Sequence, residues 1–389
     1  MVNNNPKLVR IATIPLSLNI LLKGQLAFLA NHFKIIAVAS PGEDLKMVKE
    51  REDVITHSVS IKRNISLISD SITLIKLYFF FLKEKPTIIH SITPKAGLLS
   101  MIAGKLAGVP IRIHTFTGLV FPSKKGLLKQ ILIMMDKLLC RCATNLYPEG
   151  QGVKNDLLLY KITNKPLPIL ANGNINGVNT SYFDPEKVTL DEKEKLKTRL
   201  KIEETDFLFI FVGRLVGDKG INELVAAFSK FNESDIKLLL VGPFEAHLDP
   251  LEANTLKTIE NNPNIICVGF QEDIRPYFAI SNCLVFPSYR EGFPNVVLQA
   301  GAMGLPSIVS DVNGCNEIIE EGVNGTIIRP KDIESLYLAM QKMIADEVWR
   351  NQLQQNAREK IVILYEQKIV WEALLEEYQF LLKEKESSV

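Results

Sequence analysis

The stretch CLVFPSYREGFPNVVLQAGAMGLPSIVSD, residues 283–311, encodes two short strands separated by a turn and a helix. Its ends, 283–288 and 306–311, are apolar runs that finish on Ser and Asp, a pattern typical of buried strands. Pro294 suits the first turn of a helix, so we expect the backbone amides of residues 295–297 to be available to a ligand. This strand–helix–strand unit predicts a parallel sheet covered by helices.

The same alternation extends along the chain of 389 residues. Helical patterns separate the other predicted strands, which are 8–14, 34–40, 87–92 and 111–118 in the first half and 207–213, 237–242 and 264–270 in the second. The segment 171–187 is rich in Asn and Gly and is typical of a linker, which predicts domains at 1–185 and 186–365. The predicted fold class is α/β, with two doubly wound Rossmann-like domains facing a cleft. Open sheets bind ligands at the carboxyl ends of their strands, so we expect the function to lie between the domains.

Charge is distributed unevenly, although the formal net charge is only +1. Residues 1–175 contain 23 lysines and arginines against 10 carboxylates, whereas the rest of the chain contains 22 against 34. A basic half needs an anionic partner, and anionic lipid, nucleic acid and a phosphorylated substrate are the candidates. The alternative is that the two halves attract each other across a cleft.

The five cysteines do not form the two close pairs of a zinc site, so we expect reduced, buried thiols in a cytosolic protein. The start of the chain lacks the layout of a signal peptide. No uninterrupted apolar run of about 18 residues predicts a membrane-spanning helix.

Two segments are unusually apolar. One helical face of the first carries Ile65, Ile68, Ile72, Ile75, Phe79 and Leu82, and this pattern favours a helix packed in the core. In residues 124–143 a face with basic residues at its edges carries Leu128, Ile131, Leu132, Met135, Leu138 and Leu139. For this second segment a core helix and a helix lying in a membrane interface both remain open.

The sequence FVGRLVGDKG, 211–220, places Arg214 and Lys219 in a glycine-rich loop between a strand that ends at Gly213 and a helix. Two cations beside a helix N-terminus suit a diphosphate, because the loop admits close approach and the helix dipole adds attraction. The spacing is not that of a P-loop. The alternative is a turn with solvated charges.

The turn in the opening stretch brings Ser288 and Glu291 to the end of a strand. A carboxylate at this position can accept hydrogen bonds from sugar hydroxyls, although capping of the helix dipole is the alternative. Gln299 follows about one turn into the helix, where a plain surface amide is the alternative.

These motifs, together with NGVNTSYFDP, HSITPKAGLLSMIAGKLAG and IRIHTFTG, closely resemble the retaining glycosyltransferases of family 4, which have the GT-B fold. The resemblance covers nearly the whole chain. Within that family, the motifs resemble those of bacterial capsule and O-antigen enzymes, which extend sugars on a polyprenyl-diphosphate lipid.

The resemblance implies roles for particular residues of the second domain. Arg214 and Lys219 would bind the donor diphosphate, and Glu291 would contact hydroxyls of the donor sugar, as a catalytic residue. A second glutamate that binds the ribose in the family is replaced here by Gln299, which keeps a hydrogen-bond acceptor but loses the charge. The complete predicted donor site consists of Gly213, Arg214, Lys219, Ser288, Gly292, Phe293, Asn295, Val296 and Gln299.

In the first domain the resemblance implies that His114, at the end of a strand, faces the cleft and contacts the donor sugar near its reacting carbon. His90 is a further candidate for lining the cleft. Ser17, Asn19 and Gly24 lie in the segment that matches the family's first loop and are predicted on the acceptor side. The C-terminal segment, 366–389, would be a helix that crosses back onto the first domain, with Trp371 and Tyr378 packing there.

The implied reaction is transfer of a hexose or N-acetylhexosamine from a nucleotide sugar, UDP-linked by resemblance, with retention of configuration. No Asp-x-Asp motif occurs, so neither a metal nor another cofactor is expected, and the departing diphosphate would be stabilised by Arg214, Lys219 and helix amides. The basic half is then expected to meet the anionic inner face of the cell membrane, as a peripheral cytoplasmic protein. Nucleic acid is not expected, because aromatic residues do not alternate with the basic ones.

Two other functions stay open on the sequence alone. A GT-B-fold nucleotide-sugar 2-epimerase would share the donor site but needs no surface that faces lipid. A non-catalytic binding partner of an active transferase is suggested by Gln299.

Overall fold

The computed structural model describes residues 5–62, 64–245 and 249–387. The chain forms two compact units: unit 1 extends to Asn176 and resumes at Lys368, and unit 2 is Gly177–Gln367. The boundary predicted at 185/186 is therefore wrong by nine residues. Tyr182 and Phe183 belong to unit 2, where Arg275 lies over the Tyr182 ring at 3.8 Å and Arg358 donates to the Phe183 carbonyl at 2.8 Å.

Strands and helices alternate along the described residues. The strands are β1 (Lys7–Ile11), β2 (Lys34–Ala39), β3 (Ile55–Ser58), β4 (Ile88–Ser91), β5 (Ile111–Phe116), β6 (Asn145–Pro148), β7 (Phe207–Val212), β8 (Ile236–Val241), β9 (Ile265–Gly269), β10 (Cys283–Phe286), β11 (Ser307–Ser310) and β12 (Gly325–Ile328). The helices are α1 (Pro15–Leu21), α2 (Gln25–Ala30), α3 (Glu43–Glu52), α4 (Leu67–Glu84), α5 (Pro94–Leu106), α6 (Gly126–Cys142), α7 (Gln151–Leu159), α8 (Leu190–Leu200), α9 (Ile221–Phe228), α10 (Ala253–Asn261), α11 (Arg275–Ala279), α12 (Asn295–Ala302), α13 (Cys315–Ile318), α14 (Ile333–Ala345), α15 (Glu347–Tyr365) and α16 (Gln367–Glu386).

Each unit contains one six-stranded parallel sheet. The strand order is β3-β2-β1-β4-β5-β6 in unit 1 and β12-β11-β10-β7-β8-β9 in unit 2. In both sheets the first strand of the unit pairs with its second and its fourth, so the chain winds outward in two directions. This is the doubly wound order that was predicted, and it leaves a switch point at β1/β4 and another at β7/β10.

The opening stretch forms β10, α12 and β11 as predicted. Residues Cys283–Phe286 and Ser307–Ser310 are fully buried, because helices cover both faces of a parallel strand. Pro294 is the N-cap of α12, and Gly304, at φ +78, lets the chain leave the helix towards β11.

Three strands were missed in the sequence: β3, β6 and β12. Each has only four residues, ITHS, NLYP and GTII, and each forms an edge of its sheet. An edge strand is short and partly polar, since one side has no neighbouring strand, so the apolar pattern that reveals a central strand is weak there.

Helix α16 packs on unit 1 as predicted. Tyr378 is fully buried, with its ring 5.6 Å from that of Phe33. The Trp371 ring lies 5.4 Å from Phe28, and its Nε1 donates to Asn176 Oδ1 at 2.7 Å. The C-terminal segment is thus part of the core of unit 1.

The apolar face predicted to be buried in residues 65–82 is exposed instead. Helix α4 packs on the sheet through Leu77, Phe80 and Phe81, which are buried, whereas Ile68 is 79% exposed and Phe79 is 62% exposed. The prediction was wrong because this helix is apolar on both sides, and periodicity does not say which side meets the sheet. No helix in the described part of the chain is both long and apolar enough to cross a membrane.

His90 lies inside unit 1 rather than at a ligand-binding edge, which corrects its predicted position. It is 2% exposed, and Arg10 Nη1 lies 2.9 Å from its Nδ1. Since a guanidinium only donates, Nδ1 accepts and Nε2 carries the proton that bonds Thr115 Oγ1 at 2.7 Å. Burial and the charge of Arg10 hold the pKa of His90 well below its usual value.

His114 is also buried, so the predicted contact with a donor sugar is not supported. It is the fourth residue of a strand that continues to Phe116, and it is 1% exposed. Its Nδ1 lies 2.8 Å from Ser91 Oγ, and a Cβ on Gly97 would come within 2.5 Å of the ring. Burial lowers the pKa of His114 to about 3.

These two histidines make the free energy of unfolding of unit 1 depend on pH. A folded-state pKa near 3 for His114, below the unfolded value of 6.5, means that unfolding takes up a proton as the pH falls through 6.5. The stabilising effect of His114 is complete above pH ~6.5 and is lost towards pH ~3, at up to about 1.4 kcal/mol per pH unit. His90 contributes in the same direction, because its pKa is also lowered.

We therefore expect His114→Gln to flatten the pH dependence of the free energy of unfolding, measured by urea denaturation between about pH 4 and 7.5. His32→Gln, at an exposed position, is the matched control and should leave the slope unchanged. An equally steep slope in His114→Gln would contradict the assignment.

Candidate functional site

The candidate site lies in unit 2 at the switch point between β7 and β10. Lys219 ends a short 3₁₀ turn, Gly217–Lys219, that follows β7. Glu291 lies between β10 and α12. Because β7 and β10 are parallel neighbours, their following loops emerge at the same edge of the sheet, which is where ligands bind in open α/β sheets.

Lys219 and Glu291 form a direct ion pair. The two side chains are 17% and 13% exposed, so they are mostly shielded from water but still reachable. Lys219 Nζ also lies 5.4 Å above the Phe286 ring, which helps to fix the ammonium group. The sequence suggested each residue separately; only the structure shows that they contact each other.

The loop after β7 is held by glycines that permit close backbone approach. Gly213 donates its amide to the Val241 carbonyl at 2.9 Å. Gly220, at φ +73, lies against β10's end so closely that a Cβ there would come within 2.1 Å of the Pro287 carbonyl oxygen. The Tyr289 amide donates to the Asp218 carbonyl at 2.9 Å, which joins the two loops of the switch point.

Asp249, which the sequence reasoning missed, supports the same loop. Its carboxylate accepts a hydrogen bond from the Asp218 amide at 2.6 Å, and its carbonyl accepts one from the Gly217 amide at 3.3 Å. Its signal in the sequence is slight: an Asp-Pro pair, Asp249 and Pro250, some residues after β8. Asp249 fixes the turn that carries Lys219.

The turn before α12 rests on a second residue that was missed, Gly314. This glycine has φ +74, and a Cβ on it would lie 2.3 Å from the Gly292 carbonyl oxygen and 2.6 Å from the Phe293 Cα. Phe293 is buried, 5.5 Å from the Tyr365 ring, so its side chain anchors the turn and does not face a ligand. The Gly-Phe-Pro turn is therefore clamped from both sides.

Helix α12 offers fewer amides than predicted. The Val297 amide already donates to the Pro294 carbonyl at 3.1 Å, so this one of the three predicted amides is engaged within the chain. Gln299 is half-buried in the second turn.

Arg214 and Ser288 do not join the Lys219–Glu291 pair. Arg214 is exposed and bonds Glu245 at 2.9 Å, beside the end of β8. Ser288 is fully buried, and the carbonyls of Asp218 and Arg290, at 3.3 and 3.4 Å, are the acceptors for its single hydroxyl proton. The prediction that Ser288 is delivered to a ligand is wrong, because its hydroxyl is consumed in joining the two loops.

Two of the acceptor-side candidates of unit 1, Asn19 and Gly24, serve the local structure. Ser17 lies on α1 and is half-buried, in a helix where a loop was expected. Asn19 bonds Asp44 at 2.7 Å and also accepts from Arg51. Gly24 begins α2 at φ +82, and a Cβ there would lie 2.7 Å from Trp371.

The switch point of unit 1 is instead closed by two threonines that the sequence did not suggest. Thr13 follows β1 and Thr93 follows β4, and their hydroxyl oxygens lie 2.8 Å apart. His90 and His114 lie behind them in the sheet. Of the first-domain candidates, His90 and His114 are buried in the sheet, and Asn19 is bonded to Asp44 and Arg51.

Replacement of Gly314 tests the clamp under the Gly-Phe-Pro turn. We expect Gly314→Ala to lower the free energy of unfolding by about 2 kcal/mol more than Gly304→Ala, because both sites have positive φ but only Gly314 has no room for a methyl group. A methyl group on Gly304 would meet nothing within 4 Å, so this control isolates the steric contribution. Equal losses in thermal or urea unfolding would contradict the clamp.

Comparison with known proteins identifies the family of the chain. Residues 192–360 match the model of the glycosyl transferases group 1, and residues 10–148 match that of the glycosyl transferase 4-like domain. The capsular polysaccharide biosynthesis glycosyltransferase CapM of Staphylococcus aureus is 31% identical, over 98% of this chain and 99% of its own. A UDP-Gal:alpha-D-GlcNAc-diphosphoundecaprenol alpha-1,3-galactosyltransferase of Escherichia coli is 32% identical, over 77% of both chains.

Solved structures show the same fold. A glycosyltransferase from Rickettsia africae superposes with a TM-score of 0.82 at 19% identity, over 98% of this chain and 99% of its own. Anabaena Alr3699/HepE, solved in complex with UDP, gives 0.80 at 16% identity, over 96% and 99%. With two doubly wound units, the paired lysine and glutamate at the second switch point and a relative that matches almost end to end, the chain belongs to the family 4 glycosyltransferases of the GT-B fold.

Proposed function

We propose that this protein transfers a hexose or N-acetylhexosamine from a UDP-sugar to a saccharide carried on a polyprenyl diphosphate, with retention of configuration, in the synthesis of a surface polysaccharide. The observation that carries the proposal is the shielded Lys219–Glu291 pair at the β7/β10 switch point. The Escherichia coli relative, whose name gives UDP-Gal and a diphosphoundecaprenol acceptor, supports this choice of donor and acceptor. A Campylobacter jejuni relative, 27% identical over 53% of each chain, is also named for a diphospho-undecaprenol substrate.

In this proposal Lys219 and Glu291 bind different parts of the donor nucleotide sugar. The ammonium group binds the diphosphate, and the carboxylate accepts hydrogen bonds from hydroxyls of the sugar. The Val296 amide, at the N-terminus of α12, adds a donor close to the same position. Arg214 approaches the diphosphate only after it leaves Glu245, and Gln299 accepts a hydrogen bond from the ribose.

The bond changes follow from this arrangement. The acceptor oxygen forms a bond to the anomeric carbon on the face from which the diphosphate leaves, and the bond from that carbon to the phosphate oxygen breaks. The acceptor's hydroxyl proton passes to the departing UDP. Lys219 and the helix amides stabilise the negative charge that develops on the diphosphate, so the proposal requires neither a metal nor another cofactor.

The location is part of the proposal. A polyprenyl-linked acceptor lies at a membrane surface, so the protein works as a peripheral protein on the cytoplasmic face of the cell membrane. The excess of lysine and arginine in residues 1–175 supports this, because the headgroups there are anionic.

The test is a screen of UDP-sugars against short-chain polyprenyl-diphosphate saccharides, read by mass. We expect the acceptor to gain one sugar residue, with UDP released, and analysis of the new linkage should show the anomeric configuration of the donor. An epimerised nucleotide sugar formed without acceptor would instead identify an isomerase. Binding of UDP-sugar with no turnover across the acceptors would identify a non-catalytic partner.

Removal of either member of the ion pair should abolish most of the transfer. We expect Lys219→Ala and Glu291→Ala each to lower kcat/KM by about 100-fold or more. Each change removes a contact with the nucleotide sugar and leaves the remaining charge shielded and unpaired. The control is the exposed pair of unit 2, Lys230 and Glu334, whose alanine variants should retain the full rate. Near-wild-type rates in either Lys219→Ala or Glu291→Ala would overturn the site.

Gln299→Glu tests the ribose contact. Restoring the charge should tighten the binding of UDP by about fivefold, because a hydrogen bond to a carboxylate is stronger than one to an amide. Calorimetric titration with UDP measures the change. Unchanged or weaker binding would show that Gln299 does not contact the ribose.

A further inference from the structure

The most exposed apolar surface of unit 1 is one face of α4. The side chains share one stripe, since their spacings of four and three residues repeat along the helix. Their exposed fractions are 79% for Ile68, 50% for Ile72, 55% for Ile75, 62% for Phe79 and 41% for Leu82. Leu67, at the start of the helix, is 82% exposed but lies outside the stripe. A soluble domain rarely leaves such a continuous stripe in contact with water, so the face is expected to have a partner.

The charges on α4 show what kind of partner fits. Its carboxylates are neutralised within unit 1: Asp70 Oδ1 lies 2.6 Å from Lys95 Nζ, and Glu84 Oε2 lies 2.8 Å from Lys7 Nζ. The exposed charged side chains on α4 and directly next to it among the described residues are all lysines, Lys62, Lys76, Lys83 and Lys85. The helix therefore presents an apolar stripe together with positively charged side chains. A partner that fits it has an apolar interior and an anionic surface.

Helix α6 carries exposed apolar side chains in the same helical layer. Both α4 and α6 pack against α5, so the three helices form one layer on the same side of the sheet. In α6 Leu127 is 72% exposed and Met134 is 64% exposed. Lys124 and Lys125, which precede the helix, and Arg141 near its end are also exposed.

We propose that the exposed face of α4, together with the exposed apolar residues of α6 in the same layer, is the surface by which this protein lies on a bilayer of anionic phospholipid. The helix would lie parallel to the membrane, with its apolar stripe among the upper acyl chains and its lysines extended to the headgroups. The choice of a bilayer rests on the proposed function, since the acceptor is a membrane lipid, but the surface itself is read from exposure and charge.

Helix α4 therefore does more than cover the sheet. Its inner face, Leu77, Phe80 and Phe81, stabilises unit 1, and its outer face binds lipid. The stripe would hold unit 1 against the membrane in which the acceptor's polyprenyl chain is embedded.

The test is flotation of the full-length protein with vesicles of phosphatidylglycerol and phosphatidylcholine. The variant carries Ile68→Gln, Ile72→Gln, Ile75→Gln and Phe79→Gln. These side chains are exposed, so its fold should be retained, which circular dichroism checks. We expect its partitioning to the vesicles to fall by about tenfold or more.

The matched control replaces four exposed apolar side chains of unit 2 with glutamine: Leu190, Leu338, Val348 and Ile363, which are 77%, 52%, 71% and 58% exposed. It should partition like the wild type. A second variant, Lys76→Gln with Lys83→Gln, should weaken binding to the phosphatidylglycerol vesicles and reduce its dependence on salt.

Three outcomes would overturn the proposal: equal vesicle binding by the wild type and the α4 variant, equal binding of the wild type to vesicles of phosphatidylcholine alone, or a wild-type dimer in sedimentation without lipid that the α4 variant abolishes. The last result would assign the face to a second copy of the chain.

Transfer to a water-soluble short-chain acceptor separates this proposal from the catalytic one. Loss of vesicle binding in the α4 variant with retained transfer supports the docking surface. Vesicle binding without any transfer would overturn only the proposed reaction.

Discussion

The site depends on the parallel pairing of β7 with β10. Lys219 and Glu291 are 72 residues apart in sequence, and no local structure connects them. The pairing of the two strands places the following loops at one edge of the sheet, and the hydrogen bond from the Tyr289 amide to the Asp218 carbonyl joins those loops directly. A cation and a carboxylate that would otherwise be solvated separately thereby become one partly shielded pair.

Backbone packing decides the fine geometry around this pair. Gly220 and Gly314 have positive φ and lie where a methyl group would overlap a carbonyl oxygen of the facing loop. Asp249 then fixes the 3₁₀ turn through the Asp218 amide. These residues contribute no functional side chain towards a ligand, yet they determine where the ammonium and the carboxylate meet.

Unit 1 shows that polar residues near strand ends can be buried inside the sheet. His90 and His114 lie on central strands of a sheet covered on both sides, so they are neutral core residues bonded to Arg10, Thr115 and Ser91. Tyr378 of α16 completes the network at 2.5 Å from His90 Nδ1, and so connects the C-terminal helix to the sheet. A histidine near the end of a predicted strand gives no sign of this, because burial depends on helices distant in the sequence.

The sequence by itself determined the fold class, the central strands and the C-terminal helix, and it singled out Lys219 and Glu291 as candidates, because apolar periodicity and glycine-rich turns are local signals. It did not determine the edge strands, whose patterns are short and polar, nor the burial of Ser288, His90 and His114. It also predicted the wrong side for α4, since a helix apolar on two faces satisfies the same periodicity in either orientation. Those features were decided only by the tertiary structure, because they depend on which surface each element meets when the sheet closes against its helices.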